Sequence, residues 1–181
     1  MANRRLFIPA GVREVEVGSA GRKLRLTNLE KPFWPELHIL KRDLLQYYAD
    51  VSEFLLPHLK DRAMVMKRYP NGAGGEFFFQ KRAPVPRPAW IQTCSILHSS
   101  GNEIDFPVVA NLETLLWVVN LGCIDLNQWY AKCNDVDRPD YLHFDLDPTP
   151  GAEFAQVLEA ALVVRTALAE LKIPAYPKTT G

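Results

Sequence analysis

Two stretches of helical spacing sit among short alternating runs cut off by turn residues, and this mixture restricts the chain to folds that pack helices on small sheets. The first stretch runs from Lys41 to about Leu59 and aligns Leu44, Leu45, Tyr48, Val51, Leu55, Leu56 and Leu59, although no good N-cap residue precedes it. The second opens after residues 149–153 and continues to about Lys172; Phe154, Val157, Leu158, Ala161, Val164, Leu168 and Leu171 form its expected buried stripe. Residues 13–17 and 23–27 alternate around Gly18-Ser19-Ala20-Gly21, a hairpin signal. Residues 63–69 and 76–82 read as strands around the loop 70–75, and a further pair spans 93–99 and 102–109 around Ser100 and Gly101. A proline-rich connection, 83–90, joins the pairs. Asn111 is a plausible N-cap for a short helix through Leu121, and residues 123–129 return as a strand. After a turn-rich loop at 133–139, residues 141–147 read as a strand that Pro148 keeps extended through Asp147. Residues 173–181 read as one more. No repeat, low-complexity tract or linker interrupts this order, so the class is α+β or α/β.

Composition narrows what such a fold can be used for. At 181 residues, 48% hydrophobic and 23% charged, the chain is of ordinary globular make-up with enough length to bury a core. Glu113 interrupts the most apolar stretch, so no run reaches the roughly 18 residues of a membrane span, and the N-terminus lacks the apolar region of a secretion signal. Cys94, Cys123 and Cys133 are an odd set without metal-site spacing, which points to reduced thiols and a cytoplasmic location. The net charge is zero but unevenly distributed. Residues 1–90 hold 16 Lys and Arg against 9 Asp and Glu, and residues 91–181 hold 5 against 12, so the halves carry +7 and −7. The asymmetry suggests a basic surface for phosphates beside an acidic one for metal ions or a partner; two solvated faces that differ by accident are the alternative.

The sharpest local feature is Tyr141-Leu-His-Phe-Asp-Leu-Asp-Pro-Thr149. On a strand His143, Asp145 and Asp147 would share one face, with the two carboxylates about 7 Å apart. Such a pair suits hard divalent cations, which in two-metal sites stand roughly 3.5 to 4 Å apart. One ion would activate an attacking hydroxyl and the other would hold a triphosphate. A plain solvent-facing strand edge is the competing reading. Asp145, Asp147 and Thr149 also match the nucleophile motif of haloacid-dehalogenase-type phosphatases, but only 34 residues follow Asp147, too few for the sheet that fold places after it. A nucleotide-sugar glycosyltransferase would need strand-and-helix units ahead of the motif, where this chain has hairpins.

The basic half has its own pattern. Asn28 and Lys31 lie beside Phe33 and Trp34, and Lys41 and Arg42 open the first helix, where lysines and a helix N-terminus both attract phosphate. Lys67 and Arg68, then Phe77, Phe78, Phe79, Lys81 and Arg82, interleave cations with aromatics, as strand-binding surfaces do. Three consecutive Phe residues equally suit a core strand.

In order, these segments, with residues 98–101 and 123–129, resemble the polymerase domain of the ligase-D family in the archaeo-eukaryotic primase superfamily. The resemblance covers about residues 14–181. It implies an α+β fold with mixed or antiparallel sheets and packed helices around an RRM-like catalytic core, with residues 1–12 as a tail and 13–181 as the front part of a primase-polymerase domain. It implies a nucleotidyltransferase that adds nucleotides from nucleoside triphosphates at DNA breaks and gaps in non-homologous end joining, using two manganese or magnesium ions. The implied partners are 5′-phosphorylated gapped or broken DNA, a Ku-like protein and a DNA ligase domain, near the nucleoid and away from membranes. Asp145 and Asp147 would be two of three metal-binding carboxylates. Asn28, Lys31 and Lys41 would contact the 5′-phosphate; Lys67, Arg68, Phe78, Phe79, Lys81 and Asn127 would face template or nucleotide, Phe78 and Phe79 by stacking. Asn127 stands where relatives often carry a His. Residues 177–181 resemble the start of the family's second motif, whose Lys and His, with the third carboxylate, would follow. A non-catalytic module that binds 5′-phosphorylated ends is the alternative reading.

Overall fold

The computed structural model describes residues 6–19, 21–97 and 101–178. Its chain divides into two compact units, Met1–Tyr141 and Leu142–Gly181. Among its described residues the first carries nine strands and two α-helices: β1 (Glu14–Val17), β2 (Leu24–Thr27), β3 (Pro32–Trp34), β4 (Ile39–Leu40), α1 (Lys41–Leu59), β5 (Met64–Arg68), β6 (Phe78–Gln80), β7 (Thr93–Leu97), β8 (Glu103–Pro107), α2 (Leu112–Asn120) and β9 (Cys123–Gln128). The second carries α3 (Phe154–Glu170). Small antiparallel sheets with helices make this an α+β chain, as the resemblance implies.

Local chemistry explains the elements that are strongly marked. The β1–β2 hairpin pairs Glu14 with Thr27 through Val17 with Leu24, which puts Leu24 and Leu26 inward. Helix α1 starts at Lys41 without a conventional cap because Asp43 reaches back: the Leu40 amide donates to Asp43 Oδ2 at 2.8 Å. Asn111 caps α2, its Oδ1 accepting from the Thr114 amide at 2.9 Å. Strand β5 is central in a three-stranded sheet ordered β6-β5-β9. Its Met64 and Met66 are fully buried in a cluster with Leu26, Phe33, Leu45, Leu115 and Leu116, so α1, α2 and the first hairpin all close on that side. Ala63, Cys94, Ile96, Phe106 and Val108 form a second cluster, against which Val65 packs. The β7–β8 connection includes residues 98–100, which lie outside the described residues, as does the end of the segment 173–181.

Three expectations fail in the second unit and at its junction. Residues 141–147 are not a strand, and 173–178 form no ladder either. The stripe of α3 is correspondingly open: Leu168 is buried and Val157, Ala161 and Val164 half-buried, while Phe154, Leu158 and Leu171 are exposed. The physical reason is shared, since a strand needs a hydrogen-bonded neighbour and a helix stripe needs a layer to cover it, and the flanking segments form no sheet.

Replacing Asn111 by Ala removes the cap of a helix whose residues 113–119 are all buried, and should lower stability by about 1 kcal/mol. Urea unfolding followed by circular dichroism checks this; an unchanged midpoint would show that the cap bond contributes nothing.

Candidate nucleic-acid interface

The period-two alternation of β5 divides its cations between two faces. Lys67 pairs with Phe79 on one side and with Asp125 on the other, and Val65 pairs with Asn127. Lys67, Phe79, Asp125 and Asn127 therefore share the face away from Met64 and Met66. There Lys67 Nζ lies 3.3 Å from Asp125 Oδ2 and 4.2 Å from the Phe77 ring centroid, with Tyr69 at 5.5 Å and Phe79 at 6.0 Å. The Tyr69 hydroxyl donates to Asp125 Oδ2 at 2.9 Å. The Tyr69 hydroxyl first, and then the Asp125 carboxylate, hold the Lys67 pKa above its ordinary value, so the ammonium stays charged. Phe77 packs edge-on to Phe79 at 5.7 Å and lies 5.5 Å from Tyr69. The result is a cation ringed by aromatic groups, with Phe77 and Phe79 still 50% and 59% exposed.

Arg68 faces the other way. It pairs with Phe78, sits 5.2 Å from that ring, and donates to Leu121 O at 2.8 Å and Gln80 Oε1 at 2.6 Å. Burial lowers its pKa. Phe78 and Phe79 thus occupy opposite faces, and the ring that joins Phe79 is Phe77. None of the three Phe residues is a core residue. Lys81 is exposed beyond the end of β6, and exposed Asn127 makes two long contacts, 3.4 Å to Val65 O and 3.3 Å to Asp125 O.

A second cluster forms where the loop after β2 meets α1. Asn28 takes a left-handed conformation, φ 56°, which Asn tolerates better than most residues and which turns the chain so that the Lys31 amide donates to Asn28 O at 3.0 Å. The same loop covers the start of α1: the Lys41 and Arg42 amides donate to Lys31 O and Leu29 O at 2.8 and 3.0 Å. Those two N–H groups are taken by protein carbonyls, so the helix end is not an open phosphate site in the sense the sequence suggests. Half-buried Lys31 donates from Nζ to Pro70 O at 2.5 Å, and the loop carrying Pro70 is fastened to β3 through Ala73 N to Phe33 O at 2.8 Å. Gly72, at φ 89°, allows that approach; a Cβ there would lie 3.0 Å from the carbonyl oxygens of both Pro32 and Phe33.

Lys41 is 4% exposed. Its Nζ donates to Thr27 O and to Asn120 Oδ1, both at 2.8 Å, and Asn120 Oδ1 also accepts from the Thr27 amide at 3.0 Å. Burial, then the positive charges of Lys31 and Arg68, push its pKa down to about 8. Lys31 and Arg68 are therefore close enough to Lys41 to raise its cost of being charged. An arriving anion would relieve that cost.

Asp145 and Asp147 lie in the second unit, both exposed, with Leu146 half-buried between them. The expected face-sharing on a strand is not available, because no ladder fixes the segment. The donor set still fits a hard divalent cation: two water-facing carboxylates, oxygen ligands only, with room for water to complete the shell. Among the described residues no group of three or more His, Cys, Asp and Glu side chains gathers as a metal cage. The sequence reading missed Tyr69, Asp125 and Asn120, which complete the two basic clusters. Asp125 and Tyr69 could be found only through the β5–β9 register, and Asn120 only through the contact between α2 and β2.

Comparison with known proteins follows the same outline. The family model described as LigD, primase-polymerase domain, matches residues 40–181. A multifunctional non-homologous end joining protein LigD of Mycolicibacterium smegmatis is 32% identical over 161 residues, 88% of this chain and 21% of the relative. A bifunctional non-homologous end joining protein LigD of Bacillus subtilis is 34% identical over 159 residues, 88% of this chain and 25% of the relative. The polymerase domain from Mycobacterium tuberculosis ligase D, solved in complex with DNA, matches with a TM-score of 0.76 at 28% identity, covering 86% of this chain and 57% of that one. The chain thus spans about a fifth to a quarter of the length of these two curated relatives.

The Lys41 pKa gives a signed expectation. Below pH 8 the group is protonated whether the chain is folded or not; between about 8 and 10.5 the unfolded chain keeps a proton that the folded chain has lost. Stability should therefore rise with pH across that window, by at most about 1.4 kcal/mol per pH unit, relative to Lys41→Met. Denaturant midpoints at pH 7.5 and 9.5 test it: the gap between the two proteins should change between the two pH values, and a constant gap would overturn it.

Proposed function

The chain belongs to the LigD primase-polymerase family, and from that premise we propose that it engages gapped or broken DNA and contributes to nucleotide addition at such ends during non-homologous end joining. The observation that carries the reading is the Lys67 cluster. Rings at Phe77, Phe79 and Tyr69 surround one fixed cation on an open sheet face, the combination that lets a protein stack on bases while holding a phosphate backbone. Phe78 and Arg68 offer the same pairing on the opposite face, Asn127 lies on the Lys67 face, and Lys81 follows the end of β6. Lys31 and Lys41, with Asn28 turning the loop between them and β2, are the candidates for a terminal 5′-phosphate. Phosphate binding at Lys41 is favoured because a negative charge would restore the protonated state that burial opposes.

Asp145 and Asp147 would hold manganese or magnesium ions. When bound, such ions make a primer hydroxyl more acidic and offset the charge of a nucleoside triphosphate as pyrophosphate leaves. The chain's own share is to supply the two carboxylates from one short segment and to hold the DNA by its basic clusters. The relatives' names, multifunctional and bifunctional, support a ligase domain as a partner in the same polypeptide, and a Ku-like protein would bring the complex to ends near the nucleoid. No helix among the described residues is long and apolar enough to cross a membrane.

Manganese-dependent extension of a primer on gapped duplex DNA tests the reading. Asp145→Ala should abolish extension, and Lys31→Ala should reduce the salt dependence of binding, the slope of log affinity against log salt, by about 1. Replacing Lys31 and Lys41 together should remove the preference for a 5′-phosphorylated gap; an unchanged preference would overturn their assignment. Binding of a phosphorylated gap without extension would leave the non-catalytic end-binding module.

A further inference from the structure

On the open face of the β6-β5-β9 sheet the cation already has a counter-charge. Lys67 stands directly opposite Asp125 in the β5–β9 ladder, and its Nζ lies 3.3 Å from Asp125 Oδ2. The same oxygen accepts from the Tyr69 hydroxyl at 2.9 Å, so the carboxylate is held from two sides. Rings stand around the rest of the ammonium, with centroids at 4.2 Å for Phe77, 5.5 Å for Tyr69 and 6.0 Å for Phe79. The Lys67 side chain keeps 25% of its exposure and that of Asp125 keeps 46%. Lys31 differs, because its Nζ donates to Pro70 O, a carbonyl without net charge.

That difference decides what each lysine can take. A phosphate oxygen bonded to Lys67 Nζ would lie about 2.8 Å from it. With Asp125 Oδ2 at 3.3 Å from the same nitrogen, the two anions could stand no farther than about 6 Å apart. One ammonium would then have to compensate two negative groups. A nucleobase carries no net charge, so the carboxylate does not repel it, and it gains by stacking on a ring. Phe77 and Phe79 are half-exposed and available for that, and the attraction between Lys67 and the Phe77 ring helps to hold the platform in shape. Backbone attraction acts on any stretch of DNA, whereas an unpaired base is offered at gaps and broken ends and withheld inside an intact duplex.

We propose that Asp125 is a specificity-determining residue of this face: by compensating Lys67 it withholds that charge from the DNA backbone, so that Phe77 and Phe79 take an unpaired base while phosphate falls to Lys31 and Lys41. The proposal rests on the reading of the face as DNA-binding and names the part of the DNA it takes. Asp125 lowers overall affinity and in return favours gaps over intact duplex.

Fluorescence anisotropy with the 181-residue chain, on a gapped duplex and on an intact duplex over a range of salt, tests it. Asp125→Asn keeps an oxygen for the Tyr69 hydroxyl and removes the charge. It should bind intact duplex on the order of ten-fold more tightly at low salt, steepen the slope of log affinity against log salt by about 1, and shrink the preference for the gap. Asp125→Glu should restore the original slope and preference, and Asp125→Ser, which removes the charge by another route, should behave as Asp125→Asn does. Lys67→Met should leave the slope as it is in the otherwise unaltered chain and cancel the steepening in Asp125→Asn, a coupling that separates release of Lys67 from a general loss of negative charge. Abasic sugars in place of the unpaired bases should weaken binding by at least about five-fold. Thermal melting checks that each variant is folded. Folded Asp125 variants with an unchanged slope, a steepening that survives Lys67→Met, or an abasic gap bound as tightly as the original each overturn the proposal and leave the DNA reading standing. Full affinity for gapped DNA with Phe77 and Phe79 both replaced by Ala, or no binding by the unaltered chain, removes the DNA reading of this face and the proposal with it.

Discussion

Strand β5 occupies the middle of its sheet, and nearly everything else in the first unit is arranged by which of its side chains point where. Met64 and Met66 are fully buried among residues of α1, α2, β2 and β3. That burial fixes the register on both sides, since a slip of one residue would place Lys67 in the apolar core and a Met in water. With the register fixed, Lys67 has to emerge on the opposite face, opposite Phe79 on one neighbour and Asp125 on the other. The aromatic ring around Lys67 is thus a consequence of hydrophobic burial one and three residues before it, at Met66 and Met64. Its polar contacts refine the position of the ammonium, but the Met side chains decide which face it lies on.

Lys41 joins the end of β2 to the end of α2 at an electrostatic cost. Its ammonium is out of water, held by Thr27 O and Asn120 Oδ1, and close enough to Lys31 and Arg68 to be disfavoured by both. A fold optimised only for stability would place a neutral residue there. Keeping a charged group at a buried helix start, between a hairpin and the end of α2, makes sense where an anion completes the set. The conflict with ordinary burial rules is therefore itself a sign of function.

Legibility of the fold followed the range of the interactions. The β1–β2 hairpin, the span of α1 and the Asn111 cap depend on residues a few positions apart, and the sequence marks each of them. The residues around Lys67 were legible as types, a lysine beside aromatics, because alternation is local as well. What the pattern could not convey was the partner from elsewhere in the chain: Asp125 for Lys67, Asn120 for Lys41, Asp140 for Arg62. The acidic segment failed as a strand for the same reason. Residues 141–147 have the composition of a strand, but a strand exists only when a neighbour accepts and donates its hydrogen bonds, and no described segment does. The apolar stripe of α3, similarly, marks a face that needs cover without saying what covers it.

Those long-range pairs also reinterpret the uneven charge of the two halves. A +7 front half and a −7 back half suggest separate basic and acidic surfaces. Counted by structural unit the contrast shrinks: residues 1–141 hold 18 Lys and Arg against 16 Asp and Glu, or +2, and residues 142–181 hold 3 against 5, or −2. Acids from the back half have gone to cations of the front half, Glu113 to Arg22, Asp125 to Lys67 and Asp140 to Arg62, at 3.8, 3.3 and 2.6 Å. Of these cations Lys67 is held in place on the open sheet face, where its aromatic surroundings matter as much as its charge, and Arg62 is buried altogether. Lys31 and Lys41 instead bond to carbonyl and amide oxygens. A carbonyl orients an ammonium without cancelling its charge, so these two lysines keep the field that a phosphate would meet.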